Sequence, residues 1–333
     1  MTAKTILEKT NMNKFLSILI LFTSLAWASQ NTYVPDNNFE QALIDLGYDD
    51  TLDDSVLTAN ISSVTDLFLN SRGISDLTGI EGFTALTNLS LENNQLTSLD
   101  VSMNTALEEL YCNDNQLTSL DVSANTDLTE LHCFNNQLTS LDVSANTALN
   151  ELHCFNNQLT NLDVSSNTAL TALFLDSNQL DNLDVSANTA LSTLVCNENQ
   201  LTSLDVSSNT ALEIMHCWGN QLTSLDLSAN TALTGLDCSS NQLTSLDVSN
   251  NTALTALFLD SNQLDNLDVS ANATLIHLQC NDNQLTSLDV SNNTALTGLW
   301  CDSNQLTNLD LSANTALTQL DLMGNQLTYL NMK

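Results

Sequence analysis

The sequence predicts a solenoid, a rod of short stacked coils, from three observations. The tripeptide Asn-Gln-Leu occurs twelve times between Asn94 and Asn325, always 21 residues apart. Leucine fills the same places in each unit, and a coil this short can bury its leucines only against the coils above and below it. One proline and eight glycines in 333 residues are too few for a loop-rich globular protein.

Residues 1–28 are predicted to be a secretory signal peptide. An apolar run at 15–25 follows Lys14, and Ala26-Trp27-Ala28 has the small-x-small pattern of a cleavage site, so we expect a cut after Ala28. The run is shorter than the ~20 apolar residues of a membrane helix, and no other stretch approaches that length. The sequence therefore predicts a secreted or cell-surface protein without a membrane span.

Residues 29–63 are predicted to form a helical cap. Asn37 and Glu40 have the spacing of a capping box, and Gly47 suits the helix end. Four apolar residues between these points fall on one helical face: Phe39, Ala42, Leu43 and Leu46. Such an amphipathic helix would cover the open apolar end of the solenoid.

Residues 64–85 form an irregular 22-residue repeat, and residues 86–333 form the regular array. One unit contains two similar halves, ten residues apart: Leu107, Leu110, Cys112 and Asn115, then Leu117, Leu120, Val122 and Asn125. This inner repeat predicts two short strands per coil, each closed by an asparagine whose amide bonds to backbone groups that the turn leaves unpaired. The array stops at Lys333 within a repeat, and we expect its last apolar coil to be covered by something outside this chain.

The charge of the chain excludes a nucleic-acid partner. Five lysines and arginines stand against 39 aspartates and glutamates, which gives a formal net charge of −34. Between Arg72 and Lys333 there is no lysine or arginine. Such a surface repels phosphate backbones and anionic membranes.

The repeat Leu-x-x-Leu-x-Cys-x-x-Asn-x-Leu-Thr-x-Leu-Asp-Val-Ser, with cysteine in one fixed slot, resembles that of the cysteine-ladder internalins. These are bacterial surface proteins built of leucine-rich repeats, and the resemblance covers residues 64–333. It implies an α/β repeat solenoid that is right-handed and curved, with parallel strands on the concave face and the second strand of each coil on the convex side. It also implies free thiols and a role in adhesion.

All eight cysteines occupy that one slot: Cys112, Cys133, Cys154, Cys196, Cys217, Cys238, Cys280 and Cys301. Leucine occupies it in other units, at Leu91, Leu175, Leu259 and Leu322. A slot shared by cysteine and leucine is a packing slot, since buried cysteine behaves as a small hydrophobe. We therefore expect eight reduced, buried thiols, although an even count in an exported chain also fits disulfides.

Eleven aspartates recur in the second strand and form what we call the aspartate ladder: Asp100, Asp121, Asp142, Asp163, Asp184, Asp205, Asp226, Asp247, Asp268, Asp289 and Asp310. We expect them to face solvent and keep the protein soluble. Repulsion at a spacing of ~5 Å predicts folded-state pKa values above the unfolded ones. Because hard cations prefer carboxylate oxygens, the ladder also fits weak calcium binding.

One further segment has the spacing of the start of an EF-hand calcium loop, Asp49-x-Thr51-x-Asp53-x-Ser55. It lacks the central glycine of such a loop and has Asn60 where the acidic twelfth residue belongs. A calcium loop is therefore the weaker interpretation of this segment.

The variable positions carry the candidate binding residues. The two slots that flank the cysteine point outward, and seven of the eight aromatic residues after residue 84 lie in them. Drift at free surface positions would not confine bulky rings to two columns, so the stripe predicts an interaction surface. We expect a ligand to bind on the concave face at these residues: Tyr111, His132, Phe134, His153, Phe155, Phe174, His216, Trp218, Phe258 and Trp300.

Some residues of the array have the chemistry of a metal site or a catalytic site, but the repeat alone can also bring such residues together. His132 and His153 lie one coil apart with Glu130 and Glu151 beside them, a set that fits zinc. Repetition alone also brings such residues together, so the sequence predicts no metal site and no cofactor. Nor does it predict an enzyme, because every candidate group is either a repeated structural residue or a single variable one.

Together these features predict an exported recognition or adhesion protein that binds a protein or a glycan on its concave face. The alternative is an acidic structural or divalent-cation-binding component of a cell surface. In that alternative the aspartate ladder carries the function and the aromatic residues do not.

Overall fold

The computed structural model describes residues 30–332, and the predicted signal peptide lies outside these residues. Thirteen three-residue strands form one long parallel sheet, with strands in chain order across it. Each strand pairs in register with the strand of the next coil, as Leu110 does with Leu131. The predicted parallel-strand solenoid is therefore confirmed. None of the helices within 30–332 is long and apolar enough to cross a membrane.

A small cap precedes the array and consists of β1 (Asn31–Tyr33), α1 (Asn37–Asp45), β2 (Ser55–Leu57) and α2 (Thr58–Ile61). Strands β1 and β2 pair antiparallel. The buried face of α1 continues the solenoid core, and the ring of Phe39 lies 6.4 Å from that of Phe83. Leu46 is the exception to the predicted helical face, because it lies at the helix end and is exposed.

The start of α1 differs from the prediction. Asp36, not Asn37, caps the helix, and its Oδ1 accepts the backbone N–H groups of the second and third residues after it, at 2.9 and 3.0 Å. A carboxylate suits this position because it also meets the positive end of the helix dipole. Glu40 does not reach back to the helix start. It is buried, and its Oε1 accepts the N–H groups of Asp53 and Ser55 at 2.8 and 3.0 Å.

The sheet begins in the irregular repeat with β3 (Asp66–Phe68), which is followed by a 3-10 turn at Ile80–Gly82. It continues through β4 (Asn88–Ser90), β5 (Glu109–Tyr111), β6 (Glu130–His132), β7 (Glu151–His153), β8 (Ala172–Phe174), β9 (Thr193–Val195), β10 (Ile214–His216), β11 (Gly235–Asp237), β12 (Ala256–Phe258), β13 (His277–Gln279) and β14 (Gly298–Trp300). After β15 (Asn308–Asp310), which lies outside this sheet, the edge strand is β16 (Gln319–Asp321).

The core is a column of stacked side chains. The middle residue of a sheet strand points inward, and so does the residue that follows the end of the strand. In the coil of β6 these are Leu131 and Cys133, which have no exposed surface. All eight cysteines are free and buried, which confirms the predicted thiol ladder. Burial raises the pKa of Cys112, Cys154 and Cys196 to about 12, because a thiolate is poorly solvated in an apolar core.

Two rows of buried asparagines close the corners of each coil. In the first row, Asn136 Oδ1 accepts the N–H of Leu117 at 2.9 Å, and its Nδ2 donates to the carbonyls of Cys112 and Cys133. In the second row, Asn146 Nδ2 donates to two carbonyls, and its Oδ1 has no partner. Both rows satisfy backbone groups across neighbouring coils, as predicted for asparagine corners.

The second strand predicted for every coil is mostly absent from the described residues. It is regular at the C-terminal end, where β15 pairs parallel with β17 (Tyr329–Asn331), and isolated bridges join Asp100, Asp121 and Asp142. Throughout the aspartate ladder, Oδ1 accepts the N–H of the serine two residues later at 2.8–3.0 Å. A turn closed by a side chain competes with a β-ladder. At the C-terminal end, bonds from Asn331 hold the pair together.

Candidate ligand-binding face

Each coil presents three outward side chains on the sheet. In β6, Glu130 and His132 flank the buried Leu131, and Phe134 follows the buried Cys133. We call these outward slots columns one, two and three, and the surface that they form the sheet face. Because the strands pair in register, members of one column lie one coil apart, about 4.8 Å.

In column two, four of the predicted residues form a continuous stack. The ring centroids of Tyr111 and His132 are 4.7 Å apart, and those of His132 and His153 are 4.0 Å apart. The ring of Phe174 stacks on His153 at 4.3 Å. All four side chains are half-buried, because each covers part of the next.

Column three adds two rings beside this stack. Phe134 and Phe155 are stacked with centroids 4.2 Å apart and planes 10° apart. Each also lies near the histidine of its own coil, at 6.1 and 6.5 Å. We call the six residues of the two stacks the aromatic ridge: Tyr111, His132, Phe134, His153, Phe155 and Phe174.

The other four predicted residues do not join the ridge. His216, Trp218, Phe258 and Trp300 are half-buried and lie farther along the sheet face. Trp300 has one aromatic neighbour among the residues described, His277, at 5.9 Å between centroids. The structure therefore divides the predicted stripe into one compact ridge and separate rings.

Two neighbours of Trp300 were missed by reasoning from the sequence. His277 lies in column one, outside the two columns that were singled out, and its Nδ1 is buried without a partner. Gly298, also in column one, leaves the space that the indole of Trp300 occupies, since a Cβ there would overlap the ring. A glycine in a strand slot filled elsewhere by larger residues is the signal that marks such a close approach.

Column one contributes a row of carboxylates beside the ridge, which the prediction did not include as binding residues. The Tyr111 hydroxyl donates to Glu109 Oε2 at 3.1 Å, and Asn88 Nδ2 donates to the same oxygen at 2.9 Å. These bonds hold the first carboxylate and the first ring of the ridge in place.

The next two carboxylates face the histidines. His132 Nε2 lies 2.9 Å from Glu130 Oε1, and His153 Nε2 lies 3.8 Å from Glu151 Oε1. Neither pair is aligned as a hydrogen bond, and both Nε2 atoms are buried without a partner. Burial lowers the pKa of His132, and burial together with the neighbouring His132 lowers that of His153 to about 4. Both imidazoles are therefore neutral at pH 7 and present a lone pair.

The structure brings together part of the set that the sequence analysis considered for zinc. Ligand atoms of His132, Glu151 and His153 all lie within 4.8 Å of one another. The register of β6 and β7 brings them together, because His132 pairs directly with His153 and Glu130 with Glu151.

Column three also carries acidic residues, both beside the ridge and beyond it. Asp176 and Asp260 in column three are half-buried, and burial raises the pKa of both. Asp260 Oδ1 accepts the N–H of Asn281 at 2.8 Å, so this carboxylate also joins two coils. Acidic side chains thus lie on the sheet face both beside the ridge and beyond it.

The aspartate ladder contradicts the pKa predicted from repulsion. The pKa of each ladder aspartate lies below its ordinary value. The cause is hydrogen bonding from the hydroxyl and the backbone N–H of the serine two residues later, which favours the charged carboxylate. The ladder is exposed to solvent, so repulsion between coils is screened and is the smaller effect.

The segment with the spacing of a calcium loop lies within the cap and connects α1 to β2. The N–H groups of Asp53 and Ser55 converge on buried Glu40, and Ser55 Oγ donates to Asp53 Oδ1 at 2.9 Å. Its first carboxylate, Asp49, has one buried oxygen without a partner and a pKa that burial raises.

Comparison with known proteins gives two matches in sequence. Residues 105–146 match a family profile described as leucine-rich repeats in two copies. Internalin J of Listeria monocytogenes serotype 4b (strain F2365) is 40% identical over 77 residues, which are 23% of this chain and 8% of that protein. The matched stretch thus spans only a small part of this relative.

Three solved structures are similar in fold. The functional domain of internalin J from Listeria monocytogenes, described as including a cysteine ladder, has a TM-score of 0.82 and 40% identity over 90% of this chain and 72% of that one. An internalin (inlF) from Listeria monocytogenes strain 4b F2365 has a TM-score of 0.82 and 25% identity over 90% and 96%. The plant peptide hormone receptor RGFR1, solved in complex with RGF2, has a TM-score of 0.67 and 24% identity over 74% and 45%, and shares the fold alone.

Proposed function

This chain belongs to the cysteine-ladder internalins, which are leucine-rich-repeat proteins, and we propose that it is an exported recognition protein whose sheet face binds a protein ligand. The observation that carries the proposal is the aromatic ridge. Six rings cluster on an outward surface instead of entering the core, which leucine and cysteine already fill. Aromatic anchors on a rigid sheet supply contact area at small entropic cost.

The size of the sheet face suits a macromolecular ligand. Thirteen strands at about 4.8 Å per coil make a face roughly 60 Å long, which is enough for a standard protein interface. The acidic side chains along the sheet face favour a ligand with a basic surface.

The stacking of the ridge favours a protein over a glycan. In Phe134 and Phe155 the faces of the rings cover each other, so the ridge presents ring edges to a ligand. A sugar ring packs flat against an exposed aromatic face, whereas protein side chains also pack against edges.

A glycan ligand remains the second candidate because of Trp218. Its indole has no aromatic neighbour among residues 30–332, and it lies in column three between the small residues Asn197 and Ser239. An indole face flanked by polar side chains is the kind of platform on which sugars stack.

Export of the chain is part of the proposal and rests on the predicted signal peptide. An extracellular location also fits an acidic surface with a net charge of −34, which keeps such a protein soluble. The free thiols do not conflict with an oxidising environment, since they are buried in the core.

The test removes the rings with residues that the chain itself uses in the same columns. Column two contains Gln279 and column three contains Asn113. The variant His132→Gln, Phe134→Asn, His153→Gln, Phe155→Asn should therefore remain folded. Its binding to an array of extracellular proteins and to a glycan array, each with and without added calcium, is compared with that of the unchanged chain.

The matched control changes the opposite side of the coil. Ala124→Asn and Ala145→Asn introduce the residue that the same slot carries at Asn250. We expect the unchanged chain and the control to bind a protein on the array, and the ridge variant not to bind it. Loss in the control alone would mean that the binding face is wrong. Binding to glycans alone would favour Trp218, and binding that depends on calcium and ignores the ridge would favour the acidic alternative.

A further inference from the structure

We propose that His132, His153 and Glu151 bind one zinc ion on the sheet face, beside the aromatic ridge. The three ligand atoms are an imidazole nitrogen from each of two adjacent coils and a carboxylate oxygen from the second coil, all within 4.8 Å of one another. The proposal does not depend on the protein ligand proposed above, because its probe is the metal alone.

The three ligand groups are close enough to hold one ion once the imidazole rings turn. Zinc at about 2.1 Å from each ligand atom places those atoms about 3.4 Å apart in a tetrahedron, and His153 Nε2 already lies 3.8 Å from Glu151 Oε1. The two imidazole rings are tilted by 30° and 4.0 Å apart. Because the lone pairs lie in these nearly parallel ring planes, binding one ion requires the rings to turn about χ2, a soft torsion in histidine, until both nitrogens face the same point.

The three groups offer unpaired nitrogen atoms and a carboxylate that no lysine or arginine among residues 30–332 neutralises. Both Nε2 atoms are buried and make no hydrogen bond, an arrangement that costs free energy unless something binds them. No lysine or arginine lies between Arg72 and Lys333, so no cationic side chain of the array neutralises these carboxylates. Glu130, with Oε1 2.9 Å from His132 Nε2, supplies a second carboxylate at the edge of the site.

The donor set favours zinc over calcium and magnesium. Two imidazole nitrogens and one carboxylate suit zinc and similar transition metals, whereas calcium and magnesium prefer oxygen ligands alone. Cys133 and Cys154 belong to the same coils but face the core, so the thiols take no part. Three protein ligands leave a fourth position open toward solvent on the sheet face.

The test uses the purified chain, freed of metal with a chelator and titrated with zinc chloride by calorimetry at neutral pH. The variant His132→Phe, His153→Phe removes both nitrogens and keeps the ring stack, since Phe174 already occupies the same column. The control is His216→Phe, the same change in the same column away from the cluster. Glu151→Gln tests the carboxylate.

The unchanged chain and His216→Phe should each take up one tight equivalent of zinc that tenfold more calcium does not displace. The double variant should bind that equivalent more than about 100-fold more weakly, and Glu151→Gln more than about 10-fold more weakly. The proposal is overturned if the double variant binds zinc as the unchanged chain does, if neither takes up a tight equivalent, or if His216→Phe loses it. Circular dichroism of each variant shows that loss of binding is not loss of fold.

Discussion

Replacing Asn157 with alanine should destabilise the protein about three times as much as replacing Asn146, although both asparagines are buried in the corners of neighbouring coils. The two rows look equivalent in sequence, since each repeats every 21 residues. They differ in whether the side-chain oxygen has a partner. That difference decides the free energy of unfolding in each variant.

In Asn157→Ala the most costly loss is a backbone donor. Asn157 Oδ1 accepts the N–H of Leu138 at 2.9 Å, and leaving this buried N–H without an acceptor costs about 1–3 kcal/mol. Asn157 Nδ2 also donates to the carbonyls of Cys133, Cys154 and Phe155. Each of these carbonyls keeps another donor, so the three lost bonds together add about 1 kcal/mol. The expected loss is about 3 kcal/mol.

In Asn146→Ala no buried backbone N–H loses its acceptor. Asn146 Oδ1 has no partner, and its Nδ2 donates to the carbonyls of Val122 and Asn125 at 3.0 and 2.7 Å. Both carbonyls also accept a backbone N–H within their own turn. The expected loss is therefore about 1 kcal/mol.

Urea unfolding followed by circular dichroism measures both losses. Gln158→Ala is the control, because Gln158 is exposed and lies next to the first site, and it should change stability by less than about 0.5 kcal/mol. Equal losses of unfolding free energy in the two asparagine variants, or a larger loss in Asn146→Ala, would refute the claim that the unpaired N–H of Leu138 dominates the cost.

Two further predictions concern charge and thiols. The stabilisation by Asp184, measured as the difference in melting temperature from Asp184→Ala, should be constant between about pH 7 and pH 5. It should begin to fall near the unfolded pKa of about 4 and disappear only below the folded pKa, because bonds from Ser186 hold the folded pKa below the unfolded value. A stabilisation that grows in acid would instead mean that repulsion along the ladder dominates. All eight cysteines should be unreactive to a thiol reagent in the native protein, because all of them are buried in the core, and reactive after unfolding without reductant; a count below eight would indicate disulfides.

The fold could be predicted from the sequence because the structure repeats as the sequence does. A 21-residue spacing of leucine and asparagine assigns each residue a slot in the coil, and the slot decides whether its side chain faces the core or the solvent. The alternation of leucine and cysteine in one slot likewise predicted buried thiols. The ring columns were found for the same reason, since they are the slots in which the repeat varies.

Local competition between hydrogen bonds could not be predicted in the same way. Asp36 and Asn37 are both good helix caps in sequence, and the structure uses the carboxylate. The aspartate ladder has the spacing of a strand, but each carboxylate binds the nearby serine, as Asp121 binds the N–H of Ser123 at 2.9 Å. Those bonds decide the sign of the pKa shift.

The sequence by itself determined which residues face outward on the sheet, because that depends only on their slot in the repeat. The tertiary structure decided which of them act together, because contacts across the sheet join residues 21 positions apart. Register stacked His132 on His153 and buried their Nε2 atoms beside Glu151, while Trp218 was left without an aromatic neighbour among the residues described. The protonation of such groups depends on desolvation by the coils on either side. The extent of that desolvation cannot be predicted from the spacing of residues in the sequence.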